Sequence, residues 1–161
     1  MARLRLIRTP QKYVQGRDSL LSFYEEMSFL GKKWLFVCSN SGYKMCHEKI
    51  EKSFGSAGDV RQYEIFGGIS SVGEIERLKK VVEDEGIEVV VGVGGGSAID
   101  TAKAVAHYEG LPVTIIPTVV ATDAPCTGLS VIYNDDGTFN TYLFYPKNPE
   151  AVIVDTDVIA K

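Results

Sequence analysis

Histidine and cysteine are scarce in this chain. His47 and His107 stand far apart with no HxxxH or HxxE spacing, and Cys38, Cys46 and Cys126 contain no CxxC pair. A zinc knuckle, a disulfide framework and a metal site made by this chain alone are therefore not expected. The histidines read as packed or exposed helical side chains, and the cysteines as buried free thiols in a reducing cytoplasm. Long apolar runs are missing too: nothing approaches the roughly 18 residues that a membrane-spanning helix requires. The opening stretch, MARLRLIRTPQKYV, interleaves basic and apolar residues and lacks the unbroken apolar run of a signal peptide. There is no basic surplus. The chain has 17 Lys and Arg against 21 Asp and Glu, a net charge of −4, which points away from nucleic acid and from an acidic membrane surface. Nor is there a Gly-x-Ser-x-Gly elbow for a nucleophilic serine.

What is present is an ordinary globular composition over 161 residues, 45% hydrophobic and 24% charged, enough to build one core. Short apolar runs alternate with longer stretches of 3.6-residue period. Trp34–Cys38 reads as a buried strand followed by a helix to about Phe54, and Arg61–Phe66 as a second strand. The clearest helix runs from Val72 to about Glu85. Ser71 and Glu74 suggest a capping box, Ile75, Leu78 and Val82 share a face, and Gly86 is a stop. The run KKVVEDE, 79–85, reads as a solvated helix face. Ile87–Val93 is a strand apolar enough to be covered on both faces. A helix from about Ala98 to Tyr108 and a strand at Pro112–Ile116 follow. This βαβαβ rhythm predicts an α/β, Rossmann-like parallel sheet with helices on both faces.

The last third changes character. Leu129–Tyr133 and Phe139–Tyr145 flank the turn signal Asp136-Gly137 and predict a β-hairpin. Ala151–Val154 is one more strand, and Asp155 or Thr156 is placed to cap a helix. The sequence ends about one turn into that helix, so the expectation is an N-terminal piece of something longer.

Glycine is the residue in excess, with 16 in the chain. The sharpest local signal is VGVGGGSAID, 91–100, where a strand runs into Gly94, Gly95 and Gly96 and a helix opens directly after. Glycines allow close backbone approach, and the free N–H groups of a new helix favour an anion such as a pyrophosphate. Ser97 adds a hydroxyl, and Ser97 with Asp100 also matches a capping box. A tight turn with no ligand is the plain alternative. Two named phosphate motifs fail here. Walker A needs a lysine followed by Ser or Thr, and Ser97-Ala98 stand instead. The dinucleotide fingerprint needs a third glycine where Ser97 stands, and an acidic residue about 20 positions on, where Ile115-Ile116-Pro117 stand.

The second signal is PTVVATDAPCTGLSVIY, 117–133, which leaves the carboxyl end of a parallel strand, where open α/β sheets bind ligands. Thr118, Thr122, Asp123 and Thr127 bring polar groups into a small, apolar loop. Asp123 is either an acceptor for substrate hydroxyls or an N-cap with Pro125 behind it.

With these residues in view, GVGGGSAIDTAKAVA, then LPVTIIPTVVATDAPCTGLSVIYNDDG, then YPKNPEAVIVDTDVIAK resembles the iron-containing (group III) alcohol dehydrogenase family. The resemblance covers essentially the whole chain and is nearest to that family's glycerol dehydrogenase branch. It implies an NAD-type nucleotide-binding N-terminal domain over residues 1–161. It also implies a helical C-terminal domain, absent from this chain, whose aspartate and two histidines hold zinc or iron in the complete enzyme. That enzyme oxidises a secondary alcohol to a ketone by hydride transfer, as glycerol to dihydroxyacetone. By resemblance Gly95, Gly96 and Ser97 hold the pyrophosphate, Gly94 belongs to the same cofactor-binding loop, and Asp100 lies toward the nicotinamide. Thr118, Ala121, Thr127, Leu129 and Tyr133 belong to the cofactor site, and Asp123 binds a substrate hydroxyl. Beside a small departure, Thr127 for a serine, which keeps the hydroxyl, the chain departs from the branch at three places that matter. Ser97 replaces a lysine, Ala121 replaces a serine, and Ser39 replaces the aspartate that pairs with the adenine ribose. The last change leaves NADP open beside NAD. The implied partners are a small polyol and the missing helical domain or a partner chain, in a cytoplasmic homo-oligomer; this chain alone is expected to be inactive. A non-enzymatic nucleotide-binding module or split subunit, and a dehydroquinate synthase-like lyase, are the other readings.

Overall fold

The computed structural model describes residues 7–161; residues 1–6, the start of the basic and apolar opening stretch, lie outside the described residues. Six parallel strands form the central sheet: β1 (Lys12–Gly16), β2 (Lys33–Cys38), β3 (Val60–Ile65), β4 (Val89–Gly94), β5 (Val113–Pro117) and β8 (Ala151–Asp155). Two more, β6 (Leu129–Tyr133) and β7 (Phe139–Phe144), pair antiparallel as a separate hairpin. The sheet order is β1-β8-β5-β4-β2-β3. The chain therefore steps from β2 outward to β3, then returns to lay β4 on the other side of β2. That reversal is the topological switch point, and it opens a crevice at the carboxyl ends of β2 and β4.

Strand alternation divides the core in two. Leu35 and Val37 of β2 face one layer, and Trp34, Phe36 and Cys38 face the other. The first layer packs against α3 (Val72–Glu85) and α4 (Gly96–Glu109). The second packs against α1 (Phe23–Met27), α2 (Asn40–Phe54) and α5 (Thr156–Ile159). β4 is buried along its whole length, as its Ile-Val run predicts for a strand covered on both sides. Cys38 and Cys46 are buried in the second layer, and Cys126 is half-buried. His47 is half-buried against Tyr43 and Tyr63, while His107 is exposed with its ring against Tyr145.

Gly92 sets the distance between β4 and α4. A Cβ there would lie 2.9 Å from the Ala102 Cβ and 3.3 Å from the Ile99 Cα, so only glycine lets the helix lie this close to the sheet.

Several predicted ends are met, with informative differences. Asp155 caps α5, its side chain accepting from the Asp157 N–H. Ser71 accepts from the Glu74 N–H at 3.3 Å, but the reciprocal half of that capping box is missing. The Glu74 carboxylate turns instead to the Gly67 N–H and Arg77. Asp135, at the tip of the hairpin, fills the space: it accepts from the Ser71 hydroxyl at 2.7 Å and the Gly73 N–H at 2.9 Å. The hairpin is thereby tied to the start of α3, and the Tyr133 N–H donates to the Ser70 carbonyl beside it.

The edge strand β1 has no counterpart among the predicted strands. It pairs with β8, Val14 opposite Ile153, and joins the two ends of the described chain. Five residues with a single branched aliphatic side chain give too little periodicity to announce it.

Candidate functional site

The crevice at the switch point is built from three strand ends. The Ser39 N–H donates to the Val93 carbonyl at 2.9 Å, and the Thr118 N–H to the Gly94 carbonyl at 3.0 Å, so the ends of β2, β4 and β5 are stitched at one level. Gly94 takes φ 150°, and a Cβ there would sit 2.8 Å from the Ser39 Oγ. That is why the chain can turn off β4 without closing the crevice. Here lies a hollow of about 290 Å³ lined by Ser39, Phe66, Gly95, Gly96, Ser97 and Thr118 with their neighbours. None of its lining residues carries a charge.

α4 begins at Gly96 with Gly95 as its N-cap, and no side chain caps it. This corrects the capping box expected at Ser97 and Asp100. The helix starts before Ser97, which is exposed in its first turn, and the Asp100 carboxylate is engaged elsewhere. The first-turn N–H groups of α4 therefore open toward the hollow without an internal partner, and with them the positive end of a 14-residue helix. α2 differs: the Ser39 Oγ accepts from the Gly42 N–H at 3.0 Å and so is committed to its own helix.

The loop after β5 runs beside this hollow. Asp123 is exposed, and its side chain makes no cap hydrogen bond to the short 3-10 turn Ala124–Cys126. The Thr122 Oγ1 takes that place, accepting from the Ala124 N–H at 3.2 Å. Of the two readings of Asp123, the N-cap is thus not realised, and among the described residues the carboxylate has no hydrogen-bond partner. A second hollow, of about 400 Å³, is lined by Val119, Asp123, Thr127, Val152 and Val154 among others. Ala121 is exposed in the same loop.

Asp100, Leu129 and Tyr133 line neither hollow. The Asp100 carboxylate accepts from the Val131 N–H at 3.1 Å and pairs with the Lys103 ammonium at 3.1 Å. Leu129 lends its carbonyl to the same ammonium. Lys103, absent from the predicted site, is 2% exposed on the buried face of α4. Its only signal in the sequence is the pair Asp100 and Lys103, one helical turn apart in a run of alanines. Burial draws the Lys103 ammonium below the usual lysine range, with Asp100 opposing the shift.

Among the described residues, no group of three or more His, Cys, Asp or Glu side chains is arranged to hold a metal ion. No helix among them is long and apolar enough to cross a membrane.

The family profile of the iron-containing alcohol dehydrogenases matches residues 10–156. A curated glycerol dehydrogenase of Escherichia coli O6:H1 is 45% identical over 156 residues, covering 97% of this chain and 42% of that protein. One from Thermotoga maritima is 47% identical, covering 94% of this chain and 41% of its own length. The solved glycerol dehydrogenase of Schizosaccharomyces pombe superposes with TM-score 0.86 at 38% identity, over 98% of this chain and 40% of that one. This chain spans about two fifths of the length of the curated relatives it matches.

Proposed function

This chain belongs to the iron-containing alcohol dehydrogenase family, and we propose that it is the dinucleotide-binding part of an NAD(P)-dependent polyol dehydrogenase. The observation that carries this reading is the start of α4. Three glycines deliver an uncapped helix N-terminus into an uncharged hollow at the switch point of a parallel sheet. An anion is the ligand that such unpartnered N–H groups favour, and a pyrophosphate fits because Gly95 and Gly96 leave the backbone bare.

In this reading the first-turn N–H groups of Gly96 and Ser97 hold the pyrophosphate, and the Ser97 hydroxyl adds a donor. The adenosine end lies toward Ser39 and Phe66. No carboxylate there repels a 2′-phosphate and no base attracts one, so the lining accepts NAD and NADP alike. The nicotinamide end lies toward Thr118 and the 118–129 loop, with Thr127 on its flank. Asp123, exposed and not spent on a cap, accepts a hydrogen bond from a hydroxyl of a small polyol such as glycerol. The bound nicotinamide supplies hydride acceptance; the chain supplies its orientation and the placing of the substrate. A zinc or iron ion would need ligands from outside the described residues, in a helical domain or partner chain that completes the enzyme.

Ser97→Asp tests the reading with little risk to the fold. A carboxylate in the first turn of α4 complements the helix dipole, so thermal stability is held or raised. The same carboxylate opposes a pyrophosphate, so titration calorimetry should show NAD and NADP binding weakened by at least about tenfold. Equal affinity in wild type and S97D, or no dinucleotide binding by the wild-type chain, overturns it.

A further inference from the structure

Lys103 is the one lysine among the described residues that is almost wholly buried, and it sits on a helix face otherwise made of Ala98, Ile99, Ala102 and Val105. An aliphatic side chain would pack α4 against the sheet equally well, and without the cost of burying an ammonium. What the ammonium adds is a set of acceptors from a different part of the chain. It donates to the carbonyl of Ala124 at 2.9 Å, to that of Thr127 at 3.4 Å and to that of Leu129, and it pairs with Asp100 at 3.1 Å. Asp100 reaches the same region from the same helix: its carboxylate accepts from the Val131 N–H, and its carbonyl accepts from the Ser130 hydroxyl at 3.1 Å. One turn of α4 thus grips both the end of the loop that carries Asp123 and the beginning of β6.

Lys103 does not reach either hollow described above. It lies seven residues along α4 from Gly96, about 10 Å up the helix axis. Anything it does for a ligand at the start of α4 must pass through the loop it holds.

We propose that Lys103 is a positioning residue of the dinucleotide site. Clamped by the carbonyls of Ala124, Thr127 and Leu129, it makes the 122–130 loop and α4 one rigid body, so that the nicotinamide side of the site is preassembled on the helix whose first turn takes the pyrophosphate. This rests on the dinucleotide reading given above.

Lys103→Met keeps the length and apolar stem and removes only the ammonium. The probes are NAD, which needs both halves of the site, and ADP, which needs only the α4 start and the adenosine end. In K103M the Kd for NAD rises about tenfold, the scale of a lost charge-assisted hydrogen bond, while the Kd for ADP stays within about twofold. A general loss of fold would weaken both ligands together. With K103M shown to be folded by circular dichroism, equal losses for NAD and ADP, or no loss for either, overturn the proposal. Hydrogen exchange on the wild-type chain keeps it testable even if K103M does not fold. The Cys126 and Val131 amides should be protected without ligand to the same degree as the first half of α4. Free exchange at these two positions beside a protected α4 overturns it. A wild-type chain that binds neither NAD nor NADP removes the dinucleotide reading itself, a different failure from a wild type that binds while K103M is indifferent.

Discussion

Substituting Gly92 by alanine asks whether the close seat of α4 on β4 is real. The added methyl would meet the Ala102 Cβ at 2.9 Å, the Ile99 Cα at 3.3 Å and a terminal carbon of Ile115 at 3.3 Å. Carbon pairs settle at about 3.5–4.0 Å. Ile115 can rotate away, but the Ala102 Cβ and Ile99 Cα move only with the helix. α4 must therefore retreat from the sheet by about half an ångström or more, and overpacking of this kind costs about 1–3 kcal/mol. A gain of about 0.4–1 kcal/mol from the stiffer unfolded chain offsets part of it. For a chain of this length each kcal/mol shifts Tm by about 2–4 °C, so a fall of several degrees is expected by circular dichroism. Ala102→Gly in the same chain removes the methyl that collides. G92A/A102G should then lose less than the sum of the two single variants, although a helix glycine costs about 1 kcal/mol. If G92A is as stable as the wild type, or the pair is merely additive, the glycine is not setting the helix–sheet distance and the reasoning fails.

Two other perturbations have clear directions. The side chain of Asp155 is fully buried, accepting from the Leu20 N–H and pairing with Lys49 at 2.9 Å. Burial alone would raise its pKa, but Lys49 and the Leu20 and Asp157 N–H groups hold it below the ordinary carboxylate value. Its stabilising contribution is therefore complete above about pH 4 and lost as pH falls through the lower folded value. Asp155→Asn should cost about 1–3 kcal/mol at neutral pH, less than a fully buried pair because Lys49 keeps Asp18. Its Tm should also fall less steeply in acid than that of the wild type; parallel acid limbs would contradict this. Asp135→Ala removes the two hydrogen bonds that tie the hairpin tip to α3, and should cost about 1–2 kcal/mol. Faster amide exchange confined to β6, β7 and the first turn of α3 is the expected signature, and unchanged exchange there would refute the tie.

Much of the architecture is written in local pattern. The apolar Ile-Val run of β4 requires cover on both faces, the heptad-like face of Ile75, Leu78 and Val82 requires a helix, and Asp136-Gly137 requires a tight reversal. The three glycines at 94–96 likewise announce a backbone opening at a strand–helix junction, because only residues without a Cβ can leave one there. These are short-range demands, met within a few residues of the chain.

Other features exist only because distant segments meet. β1 is a strand because β8 lies beside it, and nothing within Lys12–Gly16 foretells that pairing. Local spacing put a cap at Ser97 and Asp100. The fold instead supplies the Val131 N–H and Lys103 as better partners for Asp100, and leaves the start of α4 bare. Asp123 carries no cap because Thr122 reaches the amide first. Lys103 is marked in the sequence only by its spacing from Asp100, and becomes a clamp only when the 124–129 carbonyls close around it. Apart from the edge strand β1, sequence determined the strands, helices and open turns that follow from side-chain period and backbone freedom. Tertiary structure decided which polar groups are spent on one another and which stay free for a ligand. That choice rests on hydrogen-bond partners brought together from far along the chain.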